Sequence, residues 1–298
     1  MKGKLKRKEE NRTSIILDVE MRQTKAKVIQ AVLVVFFIFI SMIFILPVFW
    51  MLLSSFKGTR EFMQVPPSLL PEEIDLSKLA RVWKRQDLGA SYLATLVMIV
   101  GDVAFSLFCC GLGGYVLSRL KPAGSKAVMM VVLWSMMMPG NLSMVPLFIN
   151  LTNGLFGINM MDSYLPLWIM HGGNAFNTLL FKSFFDGIST SYLEAARIDG
   201  GTELGIFAKI IMPLSRPVFM SVAIFTVVGG WGTFLWPSLL IKTKYKMPIG
   251  QTILSSKTSM PVDEYLMLLT FGLVPPMLFF CFFQKYIMDG ISLGGIKG

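Results

Sequence analysis

Residues 28–53 read VIQAVLVVFFIFISMIFILPVFWMLL, a run without a charged side chain. An α-helix needs about 20 apolar residues to cross the hydrocarbon core of a bilayer, and this run exceeds that length. It is too long for the apolar core of a signal peptide, and no small-residue cleavage site follows it. The run therefore predicts a retained first membrane span.

The rest of the chain repeats this pattern. Of its 298 residues, 54% are hydrophobic and only 15% are charged, whereas about a quarter of the residues in a soluble domain are charged. Five further apolar runs lie at about 91–117, 127–150, 161–185, 218–241 and 264–288. We therefore predict an all-α polytopic membrane protein, with six transmembrane helices over residues 28–298 and a cytoplasmic N-terminal tail at 1–27.

Several of the runs contain residues that interrupt a helix. The interruptions are Gly111, Gly113 and Gly114 in the second run, Pro-Gly-Asn at 139–141 in the third and His-Gly-Gly-Asn at 171–174 in the fourth. Membrane helices tolerate such breaks where protein or a water-filled cavity satisfies the freed backbone groups. The breaks indicate either an interior path or close helix packing through small residues.

The distribution of basic residues predicts the orientation of the spans. With the N-terminus in the cytoplasm, 18 of the 28 Lys and Arg residues fall on the cytoplasmic side and 10 on the other. The positive-inside rule then places both termini in the cytoplasm. The net charge of +10 is spread over the tail and short loops, which indicates attraction to the lipid bilayer and no nucleic-acid partner.

Two loops fall on the opposite side of the membrane. In the 57–89 loop, an amphipathic stretch from Ile74 to Leu88 predicts a short helix lying on the membrane surface. The loop at about 242–263 is polar and is a candidate for contact with an external partner.

Motifs of common enzyme classes are absent from the sequence. It contains no GxxxxGKS/T, GxSxG or HExxH pattern, so enzymatic activity is unsupported and any ATPase must be a separate subunit. Three cysteines and the single His171 show no metal-ligand spacing, which predicts no metal site. Asp102 is a rare charge inside an apolar run, and is either a pathway residue or a carboxylate hydrogen-bonded to a neighbouring helix.

The loop between the fourth and fifth runs, residues 192–217, reads YLEAARIDGGTELGIFAKIIMPLSRP. It predicts a helix at 193–198, a glycine turn, and a second helix that Thr202 caps and Pro213 ends. Glu203 suits the positive end of that second helix. Apolar residues at Leu204, Phe207, Ala208 and Ile211 predict one apolar face, which needs either lipid headgroups or a groove on a partner protein.

This loop resembles the EAA motif in the permease subunits of ABC importers. The matching positions are Glu194, Ala195, Ala196, Asp199, Gly200, Ile210 and Pro213, with Met212 where the family usually has Leu. The resemblance implies the type I permease fold, in which residues 191–213 form a coupling-helix loop that docks into a cleft of the ATPase. In that role Ala195 and Ala196 allow close packing, Gly200 makes the turn and Glu194 anchors the docked helix.

Other strings are similar to the carbohydrate branch of this family. They are RIDG at 197–200, PLSRP at 213–217 and WGTFLWP at 231–237, where the family often has WNDFLWP. The closing residues 284–298 resemble the tail of the second permease in maltose-type systems. The resemblance implies a subunit in a bacterial-type cytoplasmic (inner) membrane that moves a sugar or oligosaccharide by alternating access.

The resemblance also implies the partners. They are a homologous second permease in a heterodimer, two ATPase subunits that hold ATP and Mg, and an extracytoplasmic solute-binding protein that the 242–263 loop enters. This chain itself would bind no cofactor. The alternatives are the same machinery with a non-sugar cargo, such as a glycerophosphodiester or polyol, and an ATP-independent secondary transporter.

Five residues are candidates for the substrate pathway. The aromatic ones either stack on a sugar or serve as packing and interfacial residues, and in the maltose-type case the partner permease holds the sugar. The candidates are Trp231, Phe234, Trp236, Asn174 and Asp102.

Overall fold

Helices dominate the computed structural model of the chain, which describes residues 24–66, 68, 70–154 and 158–295. No β-strand occurs among these residues, so the predicted all-α class is confirmed. Most of the predicted tail, up to residue 23, lies outside the described residues. The chain divides into two compact units, Met1–Ile74 and Asp75–Gly298.

The first unit contains α1 (Thr24–Ser54) and the short α2 (Thr59–Phe62). Apolar side chains are exposed along α1, as expected for a helix whose surroundings are lipid or another membrane protein. Within α2, Glu61 Oε1 accepts hydrogen bonds from two residues that follow the helix: Ser68 Oγ at 2.8 Å and Glu72 N at 3.0 Å. These bonds order the segment that follows the first span.

The second unit contains two long helices, α4 and α14, and shorter helices that connect and surround them. Its helices are α3 (Ser77–Gln86), α4 (Leu88–Leu120), α5 (Ser125–Met137), α6 (Met144–Asn153), α7 (Leu165–Gly172), α8 (Ala175–Asp186), α9 (Thr190–Ile198), α10 (Glu203–Leu214), α11 (Arg216–Trp231), α12 (Leu235–Leu240), α13 (Ile249–Ser256) and α14 (Val262–Gly295).

The long helix α4 begins and ends at residues with left-handed backbone, Asp87 (φ 51°) and Lys121 (φ 43°). Two π-helical turns, Ser106–Cys110 and Val116–Leu120, interrupt its regular α-helical geometry. Such turns widen a helix locally and are common at functional sites. The second of them ends α4 next to the loop that carries the EAA-like motif.

Three helices pack closely on α4 at glycines and small side chains. Trp168 of α7 covers Gly101 and donates its indole N–H to Met98 O at 3.0 Å. On α8, Phe181 lies against Gly114, and on α11, Gly230 lies against Asp102. The small-residue packing that the sequence allowed is therefore present at the second run.

Three helices of the described part are long and apolar enough to cross a membrane: Lys27–Ser54, Leu88–Leu120 and Val262–Lys285. They correspond to the first, second and sixth predicted spans. A fourth results if Glu203–Leu214 and Arg216–Trp231, which meet at an angle of 81°, form one broken span. These helices make the chain a multi-pass membrane protein.

The remaining predicted spans are broken into shorter helices. The third is divided at residues 138–143, the fourth at Gly173 and Asn174, and the fifth at residues 232–234. The sequence had placed the first two breaks, because Pro and paired Gly stand there. The count of six membrane crossings stays a prediction.

The amphipathic stretch forms the short helix α3, which packs one face on protein, and its place on the membrane surface stays a prediction. Val82 is fully buried, and the Lys78 ammonium lies 3.0 Å from the Asp263 carboxylate of α14. Arg85 adds an ion pair of 2.7 Å with Glu264. The amphipathic pattern was read correctly, but charges at the start of α14 provide the partner for its polar residues.

Candidate functional site

The helix α9 has one face in the core and one face open. Leu193 is buried and Ala196 packs against the same cluster of aromatic and aliphatic side chains. Glu194 and Ala195 are exposed, and Ile198 is 86% exposed. We call α9, the glycine turn and α10 the coupling segment, since they contain the EAA-like motif.

The glycine turn after α9 depends on both of its glycines. Gly200 has φ +80°, a conformation that residues with a Cβ adopt only at a cost. Gly201 donates its N–H to Ala196 O at 2.9 Å, and a Cβ on Gly201 would lie 2.8 Å from that oxygen. Asp199 ends α9 beside this turn. The motif identified Gly200 but not Gly201, whose constraint comes from a close backbone approach.

The second helix of the coupling segment, α10, buries a narrower face than predicted. Thr202 caps it by accepting from Gly205 N at 3.2 Å, which confirms the predicted cap. Phe207 and Ile211 are buried, but Leu204 is 66% exposed and Ala208 is also exposed. Ile206, which was not among the four predicted residues, is buried beside Phe207, so the buried side of α10 differs from the predicted apolar face.

The end of α10 also differs from the prediction. The helix continues through the exposed Pro213 to Leu214, with Ile210 half-buried one turn earlier. The chain then bends at the buried Ser215 before α11 begins. Proline at this position is accommodated because it lies in the first turn of the last helical piece, where its missing N–H is not needed.

An ion pair joins the two helices of the coupling segment, and a hydrogen bond connects the segment to α4. Arg197 Nε donates to Glu203 Oε1 at 2.7 Å across the glycine turn. The buried Tyr115 of α4 donates its hydroxyl to Glu203 Oε2 at 2.8 Å. The Arg197 guanidinium and the Tyr115 hydroxyl hold the pKa of Glu203 below its usual value. Sequence reasoning noted Glu203 as a helix-start residue only. It missed Tyr115 because no local pattern signals a contact 88 residues apart, and it missed Arg197 because the glycine turn brings the two side chains together.

Two of the predicted pathway residues meet at a small cavity. It has a volume of about 30 Å³ and is lined by Met98, Asp102, Leu167, Met170, His171, Thr233 and Trp236. Asp102 is 1% exposed, and among the described residues neither of its oxygens accepts a well-formed hydrogen bond. His171 Nδ1 lies 3.1 Å from Asp102 Oδ1 and 3.0 Å from Leu167 O. One imidazole nitrogen therefore faces two acceptors.

The other three pathway candidates lie away from the lining of this cavity. Trp231 donates its indole N–H to Gly272 O of α14 at 2.9 Å. Asn174 caps α8, with its side-chain oxygen accepting from Asn177 N at 2.9 Å. Phe234 is 45% exposed at the break between α11 and α12. The structure thus brings Asp102 and Trp236 together and places the rest elsewhere.

A second polar cluster, which the sequence did not predict as a site, organises the loop after α12. Asp162 Oδ1 accepts from the backbone N–H groups of Lys242 and Thr243, both at 2.9 Å. Its Oδ2 accepts from Thr243 Oγ1 at 2.6 Å and from Lys246 Nζ at 2.9 Å. One carboxylate therefore holds the start of the predicted external loop.

Apolar helices long enough to cross a membrane, a small cavity beside the buried Asp102 and an exposed helix–turn–helix held against α4 are the features expected of a transport permease. The chain belongs to the family described as binding-protein-dependent transport system inner membrane component, whose model matches residues 110–292, more than half of the chain. Membership makes it a transport subunit and not an enzyme, and implies a binding protein and ATPase subunits as partners.

Curated relatives extend the similarity to nearly the whole chain. The arabinooligosaccharides transport system permease protein AraQ of Bacillus subtilis is 31% identical over 274 residues, covering 89% of this chain and 95% of the relative. The polygalacturonan/rhamnogalacturonan transport system permease protein YtcP of the same organism is 28% identical, with 88% and 96% covered.

A solved structure has the same fold. It is a chain of a bacterial ABC transporter involved in the import of the acidic polysaccharide alginate, with a TM-score of 0.77 and 23% identity. The match covers 89% of this chain and 98% of the other. The type I permease fold that the EAA-like motif implied is therefore confirmed.

Proposed function

We propose that this chain is one of two homologous membrane subunits of an importer that moves a sugar or oligosaccharide from an external binding protein into the cytoplasm. The observation that carries the proposal is the two-faced helix α9. Its buried Leu193 attaches it to the helices of the second unit, while Glu194, Ala195 and Ile198 are left open for a partner. The named substrates of AraQ and YtcP, both saccharides, favour a sugar over a glycerophosphodiester or polyol.

The partner at the open face of α9 is an ATPase subunit in this proposal. The exposed face is mostly small or apolar, with one carboxylate, and fits a groove better than it fits water. ATP and Mg reside on two such subunits and none on this chain. The coupling segment lies on the cytoplasmic side, with both termini, as the distribution of Lys and Arg predicts.

The mechanism is alternating access driven by closure of the ATPase pair. Closure moves the docked α9, and the buried contacts of the coupling segment pass that movement to the spans. ATP can shift the equilibrium only by binding more tightly to the arrangement in which its subunits are closed. A loaded binding protein outside would favour the same arrangement, which explains how substrate delivery stimulates hydrolysis.

The cavity at Asp102 and Trp236 is the candidate contact with the passing sugar. A volume of about 30 Å³ holds one or two groups of the size of a water molecule, such as hydroxyls, but not a sugar ring. A carboxylate and an imidazole supply an acceptor and a donor for hydroxyl groups. A buried charge in a membrane helix is costly and usually functional.

ATPase activity of the reconstituted complex tests the proposal. The assay combines this chain with the second permease, the ATPase subunits and the binding protein, and adds a panel of oligosaccharides. We expect Gly200→Asp and Glu194→Lys to abolish stimulation by loaded binding protein. Gly124→Asp is the matched control, because Gly124 also has a positive φ (+88°) with open space around it.

The outcomes are distinct. Loss of stimulation in both coupling variants, with Gly124→Asp near wild type, supports coupling through this segment and identifies the sugar that gives the stimulation. Unchanged stimulation in both coupling variants contradicts coupling through this segment, and a wild-type complex without any stimulation favours an ATP-independent transporter.

A further inference from the structure

Two side chains of α4 contact the chain on both sides of α9. Tyr115 bonds to Glu203, in the first turn of α10. The Arg119 guanidinium donates to the carbonyl oxygens of Phe185, in the last turn of α8, and of Ile188, in the link that precedes α9. Tyr115 and Arg119 are four residues apart and so lie on one side of the helix.

Aromatic contacts of Tyr115 also lie on both sides of α9. The Tyr115 ring lies 5.2 Å from the Phe207 ring of α10 and 6.4 Å from the Phe185 ring of α8. Phe185 precedes α9 and Phe207 follows it, so the same ring touches both flanks. Tyr115 is 2% exposed, and Phe185 and Phe207 are buried. Because these three rings are buried against one another, α4 and the coupling segment are expected to move together.

The chain changes direction on both sides of the coupling segment. The segment before it, residues 187–189, is a short link, and the segment after α10 bends by 81° at Ser215. Segments of this kind can act as hinges, where a change in the angle between two helices is taken up by the backbone. The contacts from α4 reach the coupling segment directly and do not depend on either hinge.

Resting on the function proposed above, we propose that Tyr115 and Arg119 are positioning residues that hold the chain on both sides of α9. The span that moves with α9 is then α4. The consequence concerns the cavity, because Asp102 lies on the same helix. Thirteen residues of α-helix between Asp102 and Tyr115 span about 20 Å. Displacement of α9 therefore displaces one wall of the cavity, because α4 carries both Tyr115 and Asp102.

The test compares Tyr115→Phe and Glu203→Gln with a matched control in the full complex. Both variants keep the shape of the side chain; Tyr115→Phe removes one hydrogen bond, and Glu203→Gln weakens that bond and the ion pair with Arg197. The control is Tyr92→Phe, which removes a hydroxyl from the same helix, where it donates to Phe271 O at 2.7 Å. The measured quantity is the ratio of ATPase rates with and without loaded binding protein, alongside co-purification of the ATPase subunits.

We expect each variant to lower that ratio by about fivefold, the size of effect that one hydrogen bond supplies. The double variant should fall no further than Glu203→Gln, because Glu203→Gln already weakens the bond that Tyr115→Phe removes. ATPase subunits should still co-purify, since the exposed face of α9 is unaltered. Tyr92→Phe should keep the wild-type ratio.

Three results would overturn the inference in different ways. If both variants match Tyr92→Phe while Gly200→Asp abolishes stimulation, coupling exists but does not run through α4. If the wild-type chain binds no ATPase subunit, the proposed function fails and the inference fails with it. A loss of thermal stability with an unchanged ratio would show that the Tyr115–Glu203 bond is only structural.

Discussion

Gly114 on α4 approaches Phe181 on α8 so closely that no side chain fits between them. A Cβ placed on Gly114 would lie 2.6 Å from Phe181 Cβ and 3.0 Å from the backbone nitrogen of Lys182. Because one of these atoms belongs to the backbone, a rotamer change in Phe181 alone would not make room. This approach brings Tyr115, the next residue, against the flanks of the coupling segment.

The first prediction follows from this approach. Gly114→Ala should destabilise the protein by about 1–3 kcal/mol, the usual cost of overpacking a tight interior. Gly113→Ala is the matched control, since its Cβ would lie at an ordinary 3.5 Å from Thr178 Cγ2 and alanine is the better helix former. Thermal unfolding in detergent measures both. Equal midpoints for the two variants would contradict the close packing of α4 on α8.

The second prediction concerns pH and the Arg197–Glu203 pair. The Arg197 guanidinium, with help from Tyr115, holds the pKa of Glu203 below its ordinary value of 4.5. A lowered folded-state pKa contributes stability above the unfolded value, and that stability is lost as the pH falls through the folded value. The difference in melting temperature between wild type and Glu203→Gln should therefore be constant from pH 7 to about 5 and shrink below about 4.5. A difference that shrinks already near pH 6 would exclude this pair as its source.

The third prediction concerns the buried ion pair between α3 and α14. The side chains of Lys78 and Asp263 are 2% and 8% exposed, so removal of one partner leaves a buried charge without its counterion. Lys78→Met should cost about 3–5 kcal/mol, and Lys78→Met combined with Asp263→Leu should recover much of that loss. Lys84→Met, at an exposed position of the same helix, should be near neutral. A double variant no more stable than Lys78→Met would argue against the pairing.

The fourth prediction concerns Asp162 and the loop that begins at Lys242. Asp162→Ala should raise hydrogen exchange at the amides of Lys242 and Thr243 by about tenfold or more, because both donate to its carboxylate. Asp87→Ala is the control, since Asp87 and Asp162 both have a positive φ. Loss of the Asp87 carboxylate should leave those amides protected. Wild-type exchange rates in Asp162→Ala would refute the anchoring role.

The fifth prediction concerns the cavity at Asp102. If its carboxylate contacts the passing sugar, Asp102→Asn should lower sugar uptake by about tenfold while stimulation of the ATPase by loaded binding protein remains. Ser106→Ala is the control, because it removes a buried hydroxyl one turn further along α4, where the hydroxyl accepts from Asn177 Nδ2. Uptake at the wild-type rate in Asp102→Asn would remove this residue from the pathway.

Properties that depend on neighbours in sequence could be predicted from the sequence. The run at 28–53 predicted α1, because the length of an apolar run limits whether a helix crosses a bilayer. Gly200 and Thr202 predicted the turn and the cap between α9 and α10, because both conformations depend on a few adjacent residues. The EAA-like motif predicted the family, which the comparisons confirmed.

Tertiary structure decided the partners of the polar side chains. Tyr115 and Glu203 are 88 residues apart, and Asp162 and Thr243 are 81 apart. His171 reaches Asp102 only because α7 packs on α4 through Gly101 and Trp168. The buried side of α10 was also not predicted, since Ile206 lies in the core while Leu204 is exposed. Hydrophobic patterns specify which face of a helix is buried, whereas the partner of each side chain depends on how closely two distant backbones approach.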